Sequence, residues 1–355
     1  MIALRYRRDE ISLPQTGAVG FDTAQNREKT RVRLMKINVT DVLPSFDSAP
    51  GTAIDAEVGM NDITLSSSTV AKAHAVRGTA YRDIATHLDG SPEDETRLAH
   101  AEALAASFGA RITGIFTNLL PDPALFAGDF GITAIGQLVD AATEEGDVSE
   151  KRLRQRLARL DPTHELRRLD GFPGLLEQAV TSEARWNDLF IATCPRDDGN
   201  SRWRSMIESV MFDGGRGLFL LPPNAALRSP IKTVLIGWTD TRQSARAVAE
   251  ALPLIARATE VHIVTVREEA HGRMGGAEVL ADISAHLARH GVETTATVLN
   301  TEISATDALL AEARRISADL MVVGAYGHSR FREWVLGGVT ADLLDSSPVP
   351  LFLAH

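Results

Sequence analysis

Glycines crowd one short stretch near the end of the chain. Gly324 follows the apolar run Leu320-Met-Val-Val323. Gly327 comes after two intervening residues and Gly337 after nine more, with Gly338, Val339 and Thr340 directly behind. Glycine lets a backbone approach a phosphate closely, and a helix opening there would aim N–H groups at the anion. Ligands of open α/β sheets sit at the carboxyl ends of strands, and this loop leaves such an end. A set of tight turns holding nothing is the alternative.

Other residues invite chemistry less strongly. Asp89-Gly-Ser-Pro92 offers a carboxylate that could accept from a ligand, or a turn that opens a helix. His328-Ser329-Arg330 lacks a spaced residue to orient a serine–histidine pair, so nucleophilic catalysis is not indicated. Arg330 and Arg332 read as solvated helix cations or as charge beside a phosphate. His286 and His290 have metal-ligand spacing, yet no zincin glutamate accompanies them and both flank the apolar Ile283 and Leu287. Cys194 is the only cysteine, which excludes an intrachain disulfide and a four-cysteine zinc site.

The elements that would position these residues alternate regularly. From Tyr81 onward, strands at 84–88, 111–116, near 165–166, 188–193 and 217–222 are interleaved with helices. Ser91 is placed to cap the first helix, Pro92 to open it and Gly109 to stop it. After the proline-bounded stretch Pro222–Pro230, the order repeats with strands at 232–237, 261–266, 294–299, 319–323 and 350–354. Such alternation predicts parallel sheets covered by helices on both faces. Residues 1–78 show scattered apolar residues with no sustained period. They read as a disordered N-terminal extension, leaving a first domain over 79–223 and a second over 231–355.

Composition narrows the function classes. The chain has 355 residues, 44% hydrophobic and 24% charged, as in globular proteins. A net charge of −10 argues against a sequence-independent nucleic-acid binder. No apolar run approaches the ~20 residues that span a bilayer, and the first residues lack a signal-peptide core. The expectation is a cytoplasmic protein with no membrane or nucleic-acid partner.

The halves also match in detail. Asn187-Asp-Leu-Phe-Ile-Ala-Thr193 parallels Ala318-Asp-Leu-Met-Val-Val-Gly324, and Leu218-Phe-Leu-Leu221 parallels Leu351-Phe-Leu-Ala354. With the glycine loop and Asp89-Gly90-Ser91, this resembles the universal stress protein family in its tandem two-domain form. The resemblance covers roughly residues 80–355, and is stronger in the second half. It implies two doubly wound parallel-sheet α/β domains of the adenine-nucleotide alpha-hydrolase-like kind.

For ATP-binding members, the family pattern is an Asp at the end of the first strand and a late loop Gly-x2-Gly-x9-Gly followed by Ser or Thr. Each half here carries one mark. The second has the loop, so the resemblance makes Gly324, Gly327, His328, Gly337, Gly338, Val339 and Thr340 its candidate nucleotide-binding residues. Thr239 there aligns with the family Asp, and Gly338 stands where a hydroxyl is usual. The first half has Asp89 as a weaker candidate but no late loop. The implied function is a non-enzymatic, stress-linked regulatory protein holding ATP or another adenine nucleotide in the second domain. No metal is expected beyond magnesium accompanying the nucleotide. Alternatives are a nucleotide-independent protein-interaction module and, last, a slow ATP hydrolase. Partners would be unidentified proteins. The apolar closing strands, 218–221 and 351–354, are expected to pair with each other inside one chain, with a homodimer as a further possibility.

Overall fold

The computed structural model describes residues 5–8, 80–122, 132–160, 163–196, 201–227, 229–268, 276–325 and 338–355. The first repeat runs β2 (Asp83–Leu88), α1 (Glu93–Phe108), β3 (Arg111–Leu119), α2 (Ile132–Leu157), β4 (His164–Gly171), α3 (Pro173–Ala184), β5 (Leu189–Thr193), α4 (Arg204–Asp213) and β6 (Gly217–Leu221). The second runs β7 (Thr233–Gly237), α5 (Arg242–Ile255), β8 (Glu260–Glu268), α6 (Gly276–Arg289), β9 (Thr295–Thr301), α7 (Ala305–Arg315), β10 (Leu320–Gly324), α8 (Gly338–Ser346) and β11 (Leu351–Ala354).

The strands among the described residues form one sheet in the order β1-β4-β3-β2-β5-β6-β11-β10-β7-β8-β9, where β1 is Arg5–Arg8. Within each repeat the strands are parallel, and the first strand lies between the second and the fourth. The repeats meet where β6 runs antiparallel to β11, Phe219 opposite Phe352. These two phenylalanines occupy matching places in the repeats, so a pseudo-twofold axis passes between them. The carboxyl ends of the two strand sets therefore open on opposite edges of the sheet.

The strands read as unbroken apolar runs because helices cover both faces. Alternation splits each run between two cores. Phe219, Leu221, Leu320, Val322 and Phe352 pack under α1, α2, α5 and α6. Leu218, Leu220, Met321, Val323 and Leu351 pack under α3, α4, α7 and α8. One polar device recurs in both repeats. Asp188 accepts from the amides of Arg82 and Asp83 at 2.7 and 3.1 Å, and Asp319 accepts from those of Lys232 and Thr233 at 2.9 and 3.1 Å.

Three local expectations are corrected. Arg5–Arg8 are not structureless: they pair antiparallel with β4, Arg5 opposite Asp170. A sheet edge offers unpaired N–H and C=O groups, so pairing there needs no amphipathic pattern in the added strand. Residues 9–78 lie outside the described residues. Ser91 does not cap α1, because its hydroxyl donates to Asp89 instead. Asp94 takes the reciprocal part, accepting from the amides of Asp89 and Gly90. The helix α4 is additional. Its signal was present, since Trp203, Met206, Ile207, Val210 and Met211 follow helical spacing and are all buried.

Candidate functional site

Each repeat has a topological switch point, where chain connections leave the first and fourth strands in opposite directions. In the first repeat it lies between the ends of β2 and β5, in the second between β7 and β10. Matching the two strand–helix units puts Asp89 opposite Thr239, Asp94 opposite Ser244 and Arg97 opposite Ala247. The two crevices have opposite chemistry.

The first is filled with charge. Arg97, with its side chain 1% exposed, donates to Asp89 Oδ1 at 2.5 Å and to Asp94 Oδ1 at 2.6 Å. Asp89 also accepts from the Ser91 hydroxyl (2.6 Å), Arg202 (2.8 Å) and the Trp203 indole Nε1–H (2.7 Å). Its side chain is 2% exposed. Burial alone would raise the Asp89 carboxyl, but Arg97 and the hydrogen bonds from Ser91 and Trp203 outweigh it and hold the carboxyl well below the usual range. Asp94 is pushed up to about 6, because burial outweighs Arg97 there.

His87 extends this network inward. Arg97 lies 3.3 Å from Nδ1, and Nε2 lies 2.8 Å from the Thr117 hydroxyl. A guanidinium only donates, so Nδ1 accepts and the proton sits on Nε2. The Thr117 hydroxyl in turn donates a hydrogen bond to the Leu88 carbonyl. Burial and then Arg97 lower the His87 pKa to about 3. Unfolded, His87 would protonate near its ordinary 6.5. The folded state binds fewer protons below that pH, so this part of the stability is complete above 6.5 and lost as pH falls toward 3. The slope approaches ~1.4 kcal/mol per pH unit. Asp94 works in the opposite sense between 3.8 and about 6. Urea midpoints at pH 7, 6 and 5 should therefore be compared between wild type and His87→Gln, where the Asp94 contribution cancels. The wild type should lose more stability on acidification. Equal losses would exclude His87 as the source.

The second crevice is small-residue and hydroxyl-rich. Thr239 Oγ1 lies 2.9 Å from Ser244 Oγ and 3.3 Å from Thr241 Oγ1. Thr241 caps α5 by accepting from the Ser244 amide. At the end of β10, a Cβ on Gly324 would fall 2.5 Å from the Ser244 nitrogen. Only glycine lets the strand end approach the first turn of α5 this closely. That turn carries Arg242 and no acidic residue, whereas the first turn of α1 carries Glu93, Asp94 and Glu95. The His355 ring contacts the Ala325 carbonyl at 3.0 Å and Arg242 at 3.4 Å. Arg242 and His355 flank the second switch point and were not singled out from sequence. An exposed arginine in the first turn of a helix opening at a strand end was the available signal for the former.

Of the residues read as candidates, Thr239 and Gly324 come together here. Gly338 and Val339 are exposed at the start of α8, and Thr340 is buried within it. Gly327, His328 and Gly337 lie outside the described residues. Cys194 is buried, and burial pushes its thiol up to about 12, so it is no ready nucleophile. The His286 and His290 rings pack edge to face at 4.9 Å. Among the described residues, no group of three His, Cys, Asp or Glu could hold a metal ion, and no helix is long and apolar enough to cross a membrane.

The fold and its switch points define a tandem pair of doubly wound α/β domains. Residues 230–355 match the sequence model of the universal stress protein family. No curated protein sequence matches the chain. The structure is similar to that of a universal stress protein from Archaeoglobus fulgidus, with TM-score 0.58 and 16% identity, covering 76% of this chain and 96% of that one. It is similar also to a provisionally assigned universal stress protein from Pseudomonas aeruginosa, with TM-score 0.51 and 12% identity, covering 79% and 94%. At these identities the likeness is one of fold.

Proposed function

We propose that the second domain holds an adenine nucleotide, ATP foremost, at the switch point between β7 and β10. The chain then acts as a nucleotide-responsive regulatory protein rather than an enzyme. The observation that carries this reading is the contrast between the crevices. The first turn of α5 presents Arg242 and hydroxyls, with no carboxylate in that turn to compete with a phosphate. The first turn of α1 already carries its own anions. Glycines at the spacing of Gly324, Gly327, Gly337 and Gly338 would permit the close backbone approach that a polyphosphate needs.

Calorimetric titration with ATP tests the reading. Wild type should bind, and Gly327→Val should not, while the variant keeps a cooperative thermal transition. Failure of wild type to bind at millimolar ATP would leave the competing reading, a nucleotide-independent interaction module. That reading is favoured by the way Thr239 spends its hydroxyl on Ser244 and Thr241. Thr239→Asp should restore a charged acceptor at the strand end. A hydrogen bond to a charged group contributes ~1.5–3 kcal/mol, which corresponds to affinity gains of up to about a hundredfold. Unchanged affinity in a folded variant would show that no adenine contact is made at this position.

A further inference from the structure

We infer that the switch-point crevice of the first domain is a ligand-shaped site occupied, and so closed to ligand, by the chain's own Trp203. The inference does not depend on which ligand the second domain takes.

Asp89 stands at the end of β2, where a ligand of this topology would meet the protein. Its carboxylate is saturated by donors from the chain itself. Arg97, Ser91 and Arg202 account for three of these, and the fourth is a planar heteroaromatic ring. The Trp203 indole is 4% exposed, donates Nε1–H to Asp89 Oδ2 at 2.7 Å, and meets the His87 ring edge to face at 4.7 Å. A flat ring that donates N–H to a carboxylate while its faces pack on side chains is the interaction set of a bound heteroaromatic base. Trp203 comes from the stretch leading into α4.

An ordinary core tryptophan would leave, on truncation, an apolar hole with no directional preference. A self-filled site leaves a slot with a carboxylate at its end. Full-length Trp203→Gly should therefore bind indole stoichiometrically, at least tenfold more tightly than wild type, by calorimetry. Benzothiophene matches the shape of indole but has no N–H, so it should bind at least fivefold more weakly than indole. Adenine, a planar donor of similar size, should bind the variant and not the first domain of wild type. Should Trp203→Gly fail to fold alone, indole is added during refolding, and recovery of the native circular dichroism spectrum supports the inference. The inference is overturned if the folded variant takes up no indole, if benzothiophene binds as well as indole, or if indole does not restore folding.

Discussion

Arg97→Ala is expected to destabilise the first domain by about 3–5 kcal/mol, because it leaves two carboxylates buried without their cation. Asp89 and Asp94 have side chains 2% and 7% exposed, and both reach the same guanidinium nitrogen. Arg202, half exposed, contacts Asp89 alone and cannot serve both. The loss should appear as an earlier urea transition, followed by tryptophan fluorescence, since Trp203 is hydrogen-bonded to the affected carboxylate. The matched triple change Asp89→Thr, Asp94→Ser and Arg97→Ala installs the residues that the second repeat uses at these places. It removes the charges together and should recover part of the loss, as replacing a whole buried ion cluster is less costly than breaking it. A shift within about 0.5 kcal/mol for Arg97→Ala, the range of ordinary surface changes, would show that the cluster does not hold the domain together.

The second large effect concerns the seam between the repeats. Expressed alone from Ser229, the second domain should dimerise or aggregate. Its last strand, Leu351–Ala354, is fully buried and pairs in register with Leu218–Leu220. Without β6, an apolar edge with unpaired backbone groups is exposed, which is a template for another chain. Side chains seal the same seam. The Tyr81 hydroxyl donates to the Glu250 carbonyl at 2.7 Å, Arg257 stacks 4.0 Å over the Phe108 ring, and Arg204 pairs with Asp345 at 2.8 Å. Light scattering on the isolated domain and the full chain makes the comparison. A monodisperse monomer from the isolated domain would refute the expectation, since its last strand would then need no neighbour.

Much of the architecture was legible because it rests on local signals. Apolar runs of strand length, punctuated by Gly109 and Gly291 at helix ends, mark the parallel strands and helices. Both glycines adopt the left-handed conformation that stops a helix. Ser304 caps α7 as its position before an apolar stripe suggested, accepting from the Asp307 amide. The extent of β4 was less visible. The sequence marks a strand only near 165–166, yet β4 runs on through Arg168, which is buried against Glu150 and Asp170 and is also paired with Asp147. Its partners Asp147 and Glu150 come from the helix before the strand, which no window on the strand itself can show.

The candidate sites divide along the same line. Sequence by itself determined the repeat, the glycine spacing after β10 and the presence of Asp89 at one strand end with Thr239 at the other, because these are matters of residue order. Tertiary structure alone decided what those ends face. It brought Trp203 and Arg202 from beyond β5 onto Asp89, and set Arg242 and His355 beside the second crevice. Hydrophobic periodicity is a property of neighbouring residues and survives in a linear reading. A buried charge is stable only with partners that hydrogen-bond it from several elements, and those partners are chosen by packing between segments far apart in the chain.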